Sequence, residues 1–112
     1  MKITDREING VTIMDFRGRI ANGSARTQLR SRIREHLERG RQEILLNLGG
    51  VDFIDSFGLG VLIEVHDKVK NQGGVLKLVN LNRRVNHLMV ITKLETEIDC
   101  FEDEGTALAS FH

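Results

Sequence analysis

Reactive side chains are few in this sequence, and they gather best in the stretch 52-DFIDSFGLG-60. Asp55 and Ser56 stand side by side there, followed by Phe57 and then by Gly58-Leu59-Gly60. A serine in that setting has four conceivable roles. It can be a nucleophile, part of a phosphate cradle, a helix cap, or the acceptor of a group that another protein transfers.

A nucleophilic serine needs a base within hydrogen-bond reach and a third group to orient that base. The nucleophile elbow reads GxSxG, but Ile54 stands where its first glycine belongs. The histidines are His36, His66, His87 and His112. His66 lies ten residues beyond Ser56, or roughly 15 Å along a helix, too far to act as its base. Spacing does not exclude His87. Gly58-Leu59-Gly60 is a fragment of a dinucleotide fingerprint without the third glycine, and no Lys-Ser or Lys-Thr pair completes a P-loop. A tight strand-to-helix turn explains these glycines better, although a nucleotide stays open as an alternative. His36 sits in REHLE, not HExxH, and no set of Cys, His and carboxylates has ligand spacing. His66 and His87 read as partly buried helix residues and Cys100 as core or near-core filling. No metal and no cofactor is expected.

The remaining roles are a cap and an acceptor. A serine at a helix start faces free backbone N–H groups, and capping, shared with Asp55, is its ordinary use there. The same position accepts a phosphate cheaply. The added charge of about −1.5 to −2 meets the positive end of the helix dipole, while the surface shown to a partner changes sign.

These residues need a frame, and the hydrophobic pattern supplies one. Residues 2–9 and 11–17 read as two strands joined by Asn9-Gly10, a two-residue hairpin signal. Ser24 reads as the N-cap of a helix with Ala25, Leu29, Ile33 and Leu37 on one stripe, closed by Arg39-Gly40. Arg26, Arg30 and Arg34 fall on a neighbouring face and read as solvated surface. Residues 43–48, EILLNL, suit a strand covered on both sides and ended by Gly49-Gly50. A helix from about Gly58 carries Leu59, Leu62, Ile63, His66 and Val69, and residues 71–74 close it. A strand over 75–79 follows, then a helix capped by Asn82, a last strand over 97–101 and a short helix over 102–110. Strands separated by helices imply parallel crossovers, and the hairpin adds an antiparallel element. The expectation is an α/β domain: one mixed sheet of about five strands with about four helices packed on it.

The bulk numbers narrow the function. A chain of 112 residues suits one domain. Sixteen Lys and Arg balance sixteen Asp and Glu, so no net field attracts a phosphate backbone, and the absence of Trp and Tyr leaves few platforms for stacking bases. No nucleic acid partner is expected. One cysteine allows no internal disulfide, and no apolar run approaches a membrane span or a signal h-region. A cytoplasmic protein, monomeric when free, fits.

The segment 45–94 resembles the STAS domain family, and more closely its bacterial anti-sigma factor antagonists. The residues that carry the likeness are Asp55-Ser56-x-Gly58-Leu59-Gly60, the apolar helix after it, Gln72-Gly73-Gly74 before a strand, and Leu81-Asn82 before a helix. The resemblance implies the STAS fold over essentially the whole chain and a non-enzymatic switch. Ser56 would be phosphorylated by a partner that is both anti-sigma factor and serine kinase. The unphosphorylated chain would bind that partner and free the sigma factor, and a phosphatase would restore phospho-Ser56 to serine. ATP and Mg²⁺ would belong to the kinase. The contact surface implied is Asp55, Ser56, Phe57, Gly58 and Leu59 with Arg19 and Asn22.

Two departures from the family pattern stand out. Phe57 occupies a position that is commonly Ser or Thr, either as a contact anchor or as packing over the helix start. The family's Gly-Glu-Leu-Asp is replaced by Gly18-Arg19-Ile20-Ala21, with Asn22 next. The acids are gone, and Arg19 is either an exposed loop residue or a pair for a phosphate on Ser56. The alternatives are a STAS scaffold or accessory subunit, as in a stressosome-like or lipid-transporter assembly, and a small-molecule-binding or catalytic domain that uses the Ser56 loop.

Overall fold

In the computed structural model, which describes residues 1–111, Asn9 and Gly10 both take positive φ (52° and 82°). That geometry suits a two-residue hairpin turn, and β1 (Lys2–Ile8) pairs antiparallel with β2 (Val11–Ile20). β3 (Glu43–Ile54), β4 (Val75–Val79) and β5 (Cys100–Phe101) continue the sheet in parallel, in the order β1-β2-β3-β4-β5. The crossovers hold α1 (Asn22–Glu38), α2 (Ser56–Asn71) and α3 (Arg83–Ile91), and α3 is followed by a 3-10 turn at Leu94–Thr96. All three crossovers step the same way across the sheet, and right-handed connections then put α1, α2 and α3 on one face. The last helix, α4 (Glu104–Ala109), takes the other. This is the mixed five-strand, four-helix α/β architecture that the pattern predicts.

The two faces divide the core. Toward α1 to α3 the sheet presents residues such as Met14, Phe16, Leu46 and Leu78, which meet Leu29 and Ile33 of α1 and Leu62 and Val65 of α2. Toward α4 it presents Val11, Ile13, Leu45 and Val79, covered by Ala107 with Leu108 and Phe111 beside it. Lys77 fixes α4 in place. Its ammonium donates to the Ser110 carbonyl (3.1 Å) and hydroxyl (2.9 Å) and lies over the rings of Phe111 (4.8 Å) and Phe101 (5.6 Å). The same face carries a polar cluster. Arg6 grips Asp15 with two bonds (2.6 and 2.9 Å), and Asn47 donates to the same carboxylate at 2.7 Å. The Arg6 bond holds the Asp15 carboxyl below the usual range against a partial desolvation, and Asn47 helps.

Four local expectations need correction. β3 does not end at Gly49-Gly50 but runs through both to Ile54. The pairing shifts register there, and a Cβ on residue 50 would come 2.6 Å from the Phe16 carbonyl oxygen, so the irregular stretch requires glycine. β2 likewise extends past residue 17 to Ile20. Ser24 is not the cap of α1. It lies inside the helix, which starts at Asn22 after an extended Ala21 that makes no side-chain cap bond, and the Asn22 side chain, on a residue with φ of 64°, accepts the Ser24 N–H at 2.9 Å. The last strand is two residues, not five, because the chain before it is coiled: Lys93 is left-handed (φ 62°) and the Ile98 N–H bonds back to the Leu94 carbonyl. On α1 the buried stripe ends in His36, which bonds Asp5 at 3.0 Å, and Leu37 is only partly covered. Asn82 caps α3 as expected, accepting the Val85 N–H at 2.8 Å.

Candidate functional site

The extra length of β2 and β3 builds the site. The two strands run together until Arg19 pairs with Phe53 and Ile20 with Ile54. One residue later the chain turns into α2. Asp55 is the N-cap: its backbone is extended, and its Oδ1 accepts the Gly58 N–H at 2.8 Å. Gly58 is buried against the end of β2. A Cβ there would collide with the Ile20 carbonyl oxygen and lie 2.8 Å from Ile54 Cγ1. The first turn of α2 therefore sits directly on the end of β2, next to the loop that leads into α1. Leu59 is buried in the main core, 5% exposed. Gly58 and Leu59 thus hold the turn in place from inside and present no side chain outward.

What faces outward is Ser56 and Phe57. Ser56 is the first helical residue and exposed, and its hydroxyl is spared the capping role that Asp55 performs. Phe57 is 48% exposed, so much of its ring is left uncovered at the helix start. Gly60 is exposed too, with no atom within 4 Å of where its Cβ would stand. The tight-turn explanation of the glycines therefore holds for Gly58 and not for Gly60. Ser56, Phe57, Gly60, Val61 and Glu64 of α2 line a shallow, open groove of about 250 Å³, and Arg26 of α1 closes it. Arg26 bonds Glu64 at 3.2 Å, and Arg30 pairs with the other oxygen of the same carboxylate at 2.9 Å.

Arg19 and Asn22 are both exposed. The Arg19 guanidinium stacks over the Phe53 ring, 4.4 Å from its centroid, and the Asn22 side chain accepts the Ser24 N–H in the first turn of α1. The basic group that shares the groove with Ser56 is Arg26. In the sequence it reads as solvated surface, and only the α1–α2 packing reveals its position. His66 is partly buried and bonds Asp67 at 3.2 Å, whereas His87 is exposed on α3, contrary to expectation. The Cys100 thiol packs against the core, and burial, with Asp99 and Glu95 nearby, pushes it up to about 11. Among the described residues no three His, Cys, Asp or Glu side chains gather as a metal site. A larger concavity, about 700 Å³, lies beyond the ends of β4 and β5 between Leu81, Asn86, Thr96 and Phe101, away from the Ser56 loop.

Comparison with known proteins gives this arrangement a family. The family model described as the STAS domain matches residues 2–107. A Thermotoga neapolitana protein, named as a homolog of the candidate anti-sigma factor antagonist TM1081, is 38% identical over 74 residues, covering 66% of each chain. The anti-sigma-B factor antagonist of Bacillus subtilis is 44% identical over 57 residues, which is 51% of this chain and 52% of that one. The matched stretch thus spans just under two thirds of the first relative and about half of the second. In structure, the Bacillus cell fate determinant SpoIIAA in its phosphorylated form superposes with a TM-score of 0.75 at 17% identity, over 99% of this chain and all of that one. The likeness in fold and the family match over nearly the whole length lead to one conclusion: the chain belongs to the STAS domain family.

Proposed function

We propose that this protein is an anti-sigma factor antagonist switched by phosphorylation at Ser56. The observation that carries the reading is the division of labour in the first turn of α2: Asp55 caps the helix, and Ser56 stands exposed beside it with its hydroxyl uncommitted. A phosphate there would disturb no buried contact and would be favoured by the helix dipole. Relatives and structural neighbours named as anti-sigma factor antagonists support the same role.

In this reading the unphosphorylated surface of Ser56, Phe57 and Gly60, flanked by Arg19 and Asn22, binds an anti-sigma factor that is also a serine kinase. Binding releases sigma factor. The partner brings ATP and Mg²⁺. The Ser56 oxygen forms its bond to the γ-phosphorus as the bond to the β-phosphate oxygen breaks, ADP leaves, and the hydroxyl proton passes to a base of the kinase. A phosphatase hydrolyses the ester and restores the binding form. Phe57 is the apolar anchor, since a half-exposed phenyl ring gains most by being covered. Among the described residues no helix is long and apolar enough to cross a membrane, and a monomer in the cytoplasm fits the role.

The test is phosphorylation by the partner. Incubation with the anti-sigma kinase of the host and ATP should add one phosphate, located at Ser56 by peptide mass spectrometry and absent from Ser56→Ala. Modification at any other residue, or none, removes the reading in favour of a scaffold.

A further inference from the structure

Ser56, Gly60 and Glu64 recur every four residues and so share one face of α2. That face looks across the groove to Arg26 of α1. Glu64 carries two arginines, Arg26 on one oxygen (3.2 Å) and Arg30 on the other (2.9 Å). Gly60, between Ser56 and this ion pair, leaves the path open, since nothing occupies the space around its missing Cβ. Helical side chains lean toward the N-terminus of their helix, so the Glu64 carboxylate and the guanidinium it holds lie on the Ser56 side of the Glu64 backbone.

From this geometry we propose that Arg26 is an in-chain clamp for the phosphate on Ser56, exchanging its bond to Glu64 for one to the phosphate. The inference rests on Ser56 being the phosphorylated residue. The exchange is balanced. A dianionic phosphate offers Arg26 more charge and more acceptor oxygens than one carboxylate oxygen does. Glu64 keeps Arg30 when Arg26 departs, so no carboxylate is left unpaired. The pair given up is half-exposed and worth little in water. The clamp also changes the surface. Arg26 laid along Gly60 fills the groove that the unphosphorylated protein leaves open, so phosphorylation alters shape as well as charge at the contact.

The experiment uses the full chain with phosphoserine installed at position 56 during translation, which needs no kinase. The second ionisation of the phosphate is followed by ³¹P NMR against pH at low salt. An ordinary phosphoserine titrates at about 6. The clamp places the wild-type value lower, because a guanidinium favours the dianion. Arg26→Gln should raise it by about half a unit or more, Arg26→Lys should fall between, and Arg34→Gln, on the same helix but outside the groove, should match wild type. Salt should shrink the difference. Arg26 is exposed, so these variants keep the fold. Equal titration in wild type, Arg26→Gln and Arg34→Gln overturns the clamp. The clamp and the switch fail separately. A flat titration with partner binding still lost on phosphorylation removes only the clamp, and a shifted titration with partner binding intact removes only the switch.

Discussion

Gly58 presses against the carbonyl of Ile20, and this one contact joins the first turn of α2 to the end of β2. Any side chain at residue 58 must push the helix start away from the sheet. Gly58→Ala should therefore lower stability by about 1 to 3 kcal/mol, the usual cost of overpacking, even though alanine is the better helix former. Urea denaturation measures it. An unchanged or higher midpoint would mean that the turn has room the contact denies.

The cap next to it has a smaller and separable effect. Asp55→Ala removes the acceptor for the Gly58 N–H and should cost about 1 kcal/mol. Asp55→Ser should recover most of that loss, because serine caps as well. If serine recovers nothing, Asp55 stabilises through something other than capping.

Gly60 should behave in the opposite way to Gly58. Nothing in the fold needs a glycine there, so Gly60→Ala should gain about 0.5 to 1 kcal/mol. A bulky residue such as Leu at 60 should leave the fold intact and weaken partner binding by filling the groove. Undiminished binding by a well-folded Gly60→Leu would place the contact elsewhere.

The Asp15 cluster governs part of the acid response. Its folded carboxyl titrates below the unfolded value of about 3.9. The stability it contributes is present above that unfolded value and is lost as pH falls through the folded one. Asp15→Asn should therefore be less stable at neutral pH and lose less between about pH 4 and pH 2 than wild type. Thermal melting across that range checks it, and parallel curves for the two proteins would contradict the assignment.

Much of this was legible in the sequence because it is local. The Asn9-Gly10 turn, the α1 stripe from Ala25 to Ile33 and the Asn82 cap each follow from a few neighbouring residues. The misreading of β3 has its cause in long-range contact. Gly49-Gly50 looks like a strand end, yet β2 and β3 pair through it with a register shift that only the neighbouring strand reveals. The residues 97–99 look like strand, but the left-handed Lys93 coils the chain just before them. At the site, Ser56 and Asp55 could be found from helix chemistry, whereas Gly60 and Arg26 could not. A glycine with open space around it reads like one required by a turn, and an arginine row reads as surface until α2 is laid beside it.

The most direct test is the affinity of the proposed anti-sigma partner for the chain with and without phosphate on Ser56. Ser56→Ala should bind like the unmodified protein, and phospho-Ser56 and Ser56→Asp should bind at least about tenfold more weakly, or ~1.4 kcal/mol. Equal affinity for the phosphorylated and unphosphorylated forms would contradict a switch at Ser56.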